Sequence, residues 1–256
     1  MTVPAGEPQG AGSDEARKQR ERDFHNQEFA STGRKAASAA YGAADTPNRI
    51  FVERALQRAR GADVLEYGCG PGTYSFQYAA VARKVVGIDI SDTAVEHARQ
   101  RAAARGTANT EFHRMDCESP DLPDGSFDLI CGRAILHHLD LDRSFSTIRR
   151  LLKPGGSALF LEPLGHNPAI NLFRRMTPSM RTVDEHPLLR GDLDTARRYF
   201  ENVEMEPFAL MTVFAAPLMK AAALRPAFRM IEGADRALLK LPGLRWQAWT
   251  SIWSFR

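Results

Sequence analysis

Three glycines at alternate positions, Gly68, Gly70 and Gly72, follow the apolar stretch Val64-Leu65-Glu66-Tyr67. A second apolar run, Lys84 to Ile90, carries an acid at Asp89, seventeen residues beyond Gly72. Residues without a Cβ let a chain leaving a buried strand pass close beneath a ligand. The segment 73–80 after the turn has helical composition, so its first free N–H groups face that ligand. A carboxylate about 20 residues past such a turn takes the two hydroxyls of a ribose. The pattern favours an adenosine-containing ligand.

Further along stand groups able to move a proton. Asp116 closes a short extended stretch, His137 and His138 follow a fourth, Glu162 ends a fifth, and His166 comes soon after it. In an open parallel sheet these positions all lie beyond the carboxyl ends of the strands, where the site is expected. Histidine titrates near neutral pH, so His166, with Glu162 as its orienter or as an alternative base, is the favoured proton acceptor. His138 is a further candidate, and His186, in Asp184-Glu185-His186, a remoter one. The spacings match no metal-ligand pattern, because Pro163 and Gly165 interrupt the helix that an i,i+4 pair would need, and no metal is expected.

These residues need a scaffold of alternating strands and helices. Strands are expected at 64–67, 84–90, 110–117, 127–131, 157–162 and 203–213. The aromatic and β-branched stretch 244–255 reads as a last, antiparallel strand buried on both faces. Ser91-Asp92 caps a helix over 93–105 that Gly106 ends. Helices follow at 142–152, 169–176 and 192–200. Lys153-Pro154-Gly155-Gly156 reads as a turn, since Pro154 forbids helix and the glycines permit reversal. Before the core, residues 1–12 are expected to be disordered. Residues 13–60 form a helical cap in which Phe24, His25 and Phe29 either pack on the core or cover the ligand. The remainder, 61–256, is one domain with additions at 164–200 and 214–243. The second addition is apolar enough to wall a hydrophobic acceptor or to touch a membrane or another subunit, with an ordinary packed helical hairpin as the alternative.

From about Val64 to Pro163 the sequence resembles the class I S-adenosylmethionine-dependent methyltransferases. Glu66-Tyr67-Gly68-Cys69-Gly70-Pro71-Gly72 is similar to their first motif, and Asp89 to the acid ending their second strand. The Leu136-His137-His138-Leu139 exit and the Lys153-Pro154-Gly155-Gly156 turn are similar to later ones. The resemblance implies an α/β, Rossmann-like, seven-stranded and mostly parallel sheet with its last strand antiparallel, an N-terminal helical cap and a helical insertion before the last strand. It also implies S-adenosylmethionine as cofactor, leaving as S-adenosylhomocysteine. Glu66, Gly68, Cys69, Gly70 and Gly72 would form its floor, Asp89 and Ile90 its ribose side, and Asp116, Cys117 and Arg133 the remaining wall, with Asp116 accepting from the adenine amino group. The implied reaction is O- or C-methylation of a small, largely hydrophobic acceptor of natural-product type. A nicotinamide-dependent dehydrogenase shares the strand, turn and acid, but its fingerprint places Gly or Ala at position 73, here Thr73. A non-catalytic cofactor-binding scaffold is the third reading.

Composition narrows the remaining classes. A chain of 256 residues accommodates one large α/β domain with appendages. Hydrophobic and charged shares of 43% and 25% are those of a folded globular protein. A net charge of +3 gives no argument for nucleic acid. No apolar run approaches the roughly 18 residues of a membrane span, so a cytoplasmic enzyme is expected, with a homo-oligomer left open. Cys69, Cys117 and Cys131 form neither a zinc pattern nor a disulfide framework.

Overall fold

Alternating apolar residues on the central strands feed two different cores, and this places those strands between layers. In the structure, a computed structural model describing residues 14–30, 45–215 and 222–256, Val64 packs in one cluster with Phe51, Ala55, Val85, Leu129 and Leu159. Its neighbour Leu65 packs in another with Ile88, Ile130, Phe145, Phe160 and Trp253. Successive side chains of a strand point to opposite faces, so burial of both neighbours means helices cover both sides.

In chain order, α1 (Asp14–Ala30) and α2 (Asp45–Ala59) precede β1 (Asp63–Tyr67), α3 (Ser75–Ala79), β2 (Lys84–Asp89), α4 (Asp92–Arg105), β3 (Thr110–Arg114) and β4 (Phe127–Arg133). Then follow α5 (Leu141–Leu151), β5 (Leu152–Pro163), α6 (Pro168–Met176), α7 (Arg190–Arg197), β6 (Val203–Phe208), α8 (Thr212–Ala215), α9 (Arg225–Leu238) and β7 (Thr250–Phe255). The sheet has seven strands in the order β3-β2-β1-β4-β5-β7-β6, and β7 runs antiparallel to both β5 and β6. The strand order reverses direction beside β1, so the β1 and β4 exits frame the crevice where such sheets bind ligands.

Local chemistry explains most boundaries. Ser91 accepts a hydrogen bond from Ala94 N at the start of α4, and Gly106 ends that helix at φ 63°. Asn167 caps α6 through Ala169 N and Ile170 N, with Pro168 in the first turn.

Three expectations require correction. The last strand begins at Thr250 rather than 244, because its ladder partners, Pro163 of β5 and Phe208 of β6, end there. Residues 245–247 instead form a 3₁₀ turn. β6 stops at Phe208 because Ala209 adopts φ 61° and the buried Asp235 carboxylate accepts the N–H groups of Leu210, Met211 and Thr212, starting α8. Lys153 to Gly156 is not a turn before the strand but a bulge within β5. Leu152 pairs with Phe127 and Ser157 with Leu129, and the extra residues are absorbed with Gly155 at φ 79°.

The disorder expected over residues 1–12, and parts of the insertion expected over 214–243, lie outside the described residues. Among the described residues no helix is long and apolar enough to cross a membrane.

Candidate active site

The chain leaves β1 through a turn only glycine accommodates. Gly68 has φ 62°, and a Cβ there would stand 2.9 Å from Ile135 Cδ1 across the crevice. Gly70 has φ 51°, and its Cβ would come within 3.3 Å of Phe29 on α1. A side chain at either position would be strained and would intrude on the cradle.

Asp89 closes β2 beside that turn. It is 7% exposed, and its oxygens accept from Gly70 N and Ser91 N, each at 2.8 Å. Burial raises its pKa, and those two N–H groups oppose the rise. A cleft opens above, lined by Gly68, Asp89, Ile90, Asp116, Cys117 and Arg133. Its roof is α1, through Arg17, Lys18, His25 and Phe29. Lys18 Nζ lies 2.8 Å from Asp116 Oδ2, and Glu118 N donates to the other oxygen at 2.8 Å. Arg17 pairs with Glu118 at 2.6 Å.

Six of the ten residues assigned to the cofactor therefore line one cleft. The other four lie beneath or beside it. Glu66 is buried and accepts from the Ser75 hydroxyl, and burial pushes its pKa up to about 8. Cys69 is packed under the turn, and Gly72 abuts Phe112 and Phe76.

A second cleft adjoins the first. Phe24, Leu161, Pro163, Ile170, Phe173 and Trp249 give it apolar walls, while His137, Arg174, Arg181 and Glu185 give it polar ones. His25, Glu28, Arg133, Ala134 and His138 line both clefts.

The acid and imidazoles between them are ordered by β5. Glu162, at 0% exposure, accepts from Ile135 N and Leu136 N at 2.9 Å each, and from His137 Nδ1 at 2.7 Å. Burial raises the Glu162 pKa to about 7. Burial, aided by the charge of Arg174, holds His137 down at about 3, so its ring is neutral. His138, 8% exposed, has Nδ1 3.0 Å from Glu21 Oε2 and Nε2 3.8 Å from Glu185 Oε1. Burial and the neighbouring His137 lower its pKa.

The expected pairing of Glu162 with His166 is not formed. His166 lines neither cleft; its Nε2 accepts from Arg190 N at 2.9 Å and its ring stands edge-on to Trp246. His186 donates its backbone N–H to the His137 carbonyl at 2.9 Å. The ligand atoms of Glu21, His25 and His138 lie within 4.8 Å of one another, as do those of His137, His138 and Glu185. Sequence spacing does not reveal these groupings, because they join α1, the β4 exit and the 185 loop.

Sequence reasoning also missed Lys18, Glu21, Arg174 and Arg181. The first two sit on a charged helix whose face toward the sheet carries no apolar stripe to betray it: Glu21 is its buried residue. Arg20 clasps Asp184 with two bonds of 2.8 Å, and Thr182 donates to Glu21, so α1 also fixes the loop beside the second cleft.

Residues 64–156 match the family described as methyltransferase domain. A probable S-adenosylmethionine-dependent methyltransferase of Mycolicibacterium smegmatis is 32% identical over 117 residues, 45% of this chain and 44% of that protein. Phosphoethanolamine N-methyltransferase 1 of Arabidopsis thaliana is 40% identical over 111 residues, 43% of this chain and 22% of that one. The chain thus covers less than half the length of these curated relatives. Among solved structures, phosphoethanolamine N-methyltransferase 2 of Haemonchus contortus in complex with S-adenosyl-L-methionine superposes with a TM-score of 0.63 at 19% identity, over 91% of this chain and 59% of that one. The YcgJ protein of Bacillus subtilis gives 0.54 at 18%, over 81% and 98%. Likeness at these identities establishes the fold.

Proposed function

We propose, from the class I S-adenosylmethionine-dependent methyltransferase domain that residues 64–156 carry, that this protein methylates an oxygen or carbon of a small acceptor with a largely hydrophobic body. The observation that carries the reading is the junction of the two clefts at His25, Arg133, Ala134 and His138. One cleft suits the donor and the other the acceptor, with a titratable ring between them.

The donor cleft fits an adenosine group on this chain's own chemistry. Asp89 keeps lone pairs beyond those used by Gly70 N and Ser91 N for a ribose diol. Asp116 stands at the next strand exit for an adenine amino group, with Ile90 and Cys117 beside it. The Gly68 cradle leaves the space that a Cβ would fill. S-adenosylmethionine, when bound, supplies a methyl group already activated by a sulfonium charge.

The protein's remaining tasks are positioning and proton removal. His138 is the residue we assign to the proton. Its lowered pKa leaves it neutral, and so able to accept, at pH 7. The Glu21 carboxylate at Nδ1 stabilises the imidazolium that results. This moves the favoured base from His166, whose Nε2 is occupied by Arg190 N, to His138. Glu162 then acts as a positioning residue, holding the Ile135 and Leu136 backbone N–H groups and the His137 ring that precede His138. Phe24, Ile170, Phe173 and Trp249 receive the apolar body of the acceptor. The phosphoethanolamine relatives act at nitrogen, by their names; the apolar walls from Phe24, Ile170, Phe173 and Trp249 favour an acceptor with a larger apolar body.

The test is calorimetric titration with S-adenosylhomocysteine, with NAD in parallel. Micromolar binding of the former alone is expected. Binding of NAD alone would move the protein to the dehydrogenases, and no binding of either would make it a scaffold for something else.

A further inference from the structure

Two arginines of the acceptor cleft, Arg174 and Arg181, form no ion pair among the described residues. Arg174 of α6 donates to the Leu164 carbonyl at 3.0 Å and to Asn171 Oδ1 at 2.9 Å. Arg181 reaches Thr177 Oγ1 through Nη2 at 3.3 Å, and its Nε is buried with no hydrogen-bond partner among the described residues. Among the described residues neither guanidinium has a carboxylate oxygen within ion-pairing distance. Other arginines are paired, Arg17 with Glu118, Arg20 with Asp184, Arg54 with Glu206 and Arg198 with Asp142, while Arg58 and Arg245, outside the cleft, also keep a buried guanidinium nitrogen without a hydrogen bond among the described residues.

A buried guanidinium with unused donors is costly, and two side by side repel. Arg174 registers this: burial first, then the charge of Arg181, brings its pKa down to about 10. Glu185 shares the cleft, but its Oε1 faces His138 Nε2 at 3.8 Å, and burial raises its pKa, so it offsets the pair incompletely. Glu28 and Asp45 also line the cleft. The arrangement is that of a site awaiting an anion from outside the chain.

We propose that Arg174 and Arg181 form the binding site for an acidic group, a carboxylate or a phosphate, carried by the methyl acceptor. The inference rests on the reading of this cleft as the acceptor site. Planar guanidinium forks match either oxyanion. Ile170, Phe173 and Trp249 line the same cleft, so the acceptor carries an apolar portion as well as its acidic group. The substrate class is therefore an organic acid or phosphate monoester with an aromatic or alkyl body.

The test measures binding of benzoate, phenyl phosphate and neutral benzamide to the full chain by calorimetry, with and without saturating S-adenosylhomocysteine. At least one anion is expected to bind ten-fold or more tightly than benzamide. A preference for benzoate identifies a carboxylate site and a preference for phenyl phosphate a phosphate site. Arg181→Gln is expected to weaken the preferred anion about ten-fold or more and Arg181→Lys by less, since charge is kept and the fork lost. S-adenosylhomocysteine affinity is expected to stay constant, because Arg181 does not line the donor cleft. Arg174→Gln, which also removes the bond to Leu164, is the second variant and is compared only if its thermal unfolding matches wild type. Equal binding of benzamide and both anions, no anion binding by protein that binds S-adenosylhomocysteine, or unchanged anion affinity in Arg181→Gln overturns the site. Loss of S-adenosylhomocysteine binding with anion selectivity intact would instead overturn the methyl-transfer reading.

Discussion

His138 Nδ1 stands 3.0 Å from Oε2 of Glu21, so the imidazole shared by the two clefts faces a carboxylate of the first helix, although the two atoms are not aligned as a hydrogen bond. This contact makes α1 part of the chemistry and not only a cover. His138→Gln is expected to lower kcat by about 10²–10⁴-fold, the usual contribution of a positioned base. Glu21→Gln, which keeps shape and loses charge, is expected to lower kcat less and to shift the acidic limb of the pH profile toward lower pH. Wild-type turnover in His138→Gln with a true acceptor would remove the base assignment.

Asp89 is expected to dominate donor affinity. Replacing it by Ala removes an acceptor for the ligand and strands Gly70 N and Ser91 N. S-adenosylhomocysteine binding should weaken by about 1–3 kcal/mol, the scale of a lost hydrogen bond to a charged group. Calorimetry measures this directly, and unchanged affinity would contradict the ribose assignment.

Glu162 is expected to matter first for stability. Glu162→Ala leaves Ile135 N, Leu136 N and His137 Nδ1 without their acceptor in a site with no access to water. The expected loss is about 3 kcal/mol, read as a lower urea midpoint. Glu162→Gln retains one carbonyl oxygen and should recover part of it. Equal stability of Glu162→Ala and wild type would refute the positioning role.

His25 predicts a pH dependence of stability. Burial disfavours its charge, but the Glu21 and Glu28 carboxylates at 3.6 and 3.4 Å outweigh burial and raise its pKa to about 9. The unfolded residue loses its proton near 6.5, so between these values the folded state holds more protons. The stabilisation is complete below 6.5 and is lost as pH rises through about 9. Its size is about 3 kcal/mol at most. Urea unfolding at about pH 6 and about pH 10 measures the slope, and His25→Gln should flatten it. A slope that survives this substitution would assign it to other groups.

Much of the scaffold is visible before folding. The strand-glycine-turn-strand-acid pattern from Val64 to Asp89, the Ser91 cap and the Gly106 stop are local, since each depends on residues within a few positions of one another. They appear as expected. The end of β6 at Phe208 was not legible, because the acid that terminates it, Asp235, arrives from α9. The start of β7 at Thr250 was not legible either, because it is set by where two other strands stop.

The candidate site divides the same way. The sheet, the glycine cradle and the acids past its strand ends were readable from local residues, because backbone conformation and strand polarity place Gly68, Asp89 and Asp116 regardless of what packs above them. Folding was needed to set Glu162 beside His137 and not His166, to bring Glu21 against His138, and to gather Arg174 and Arg181 into one cleft with no ion pair among the described residues. Those relations join α1, the β4 exit, β5 and the 174–185 segment, and their energies come from burial and charge across elements distant in the chain.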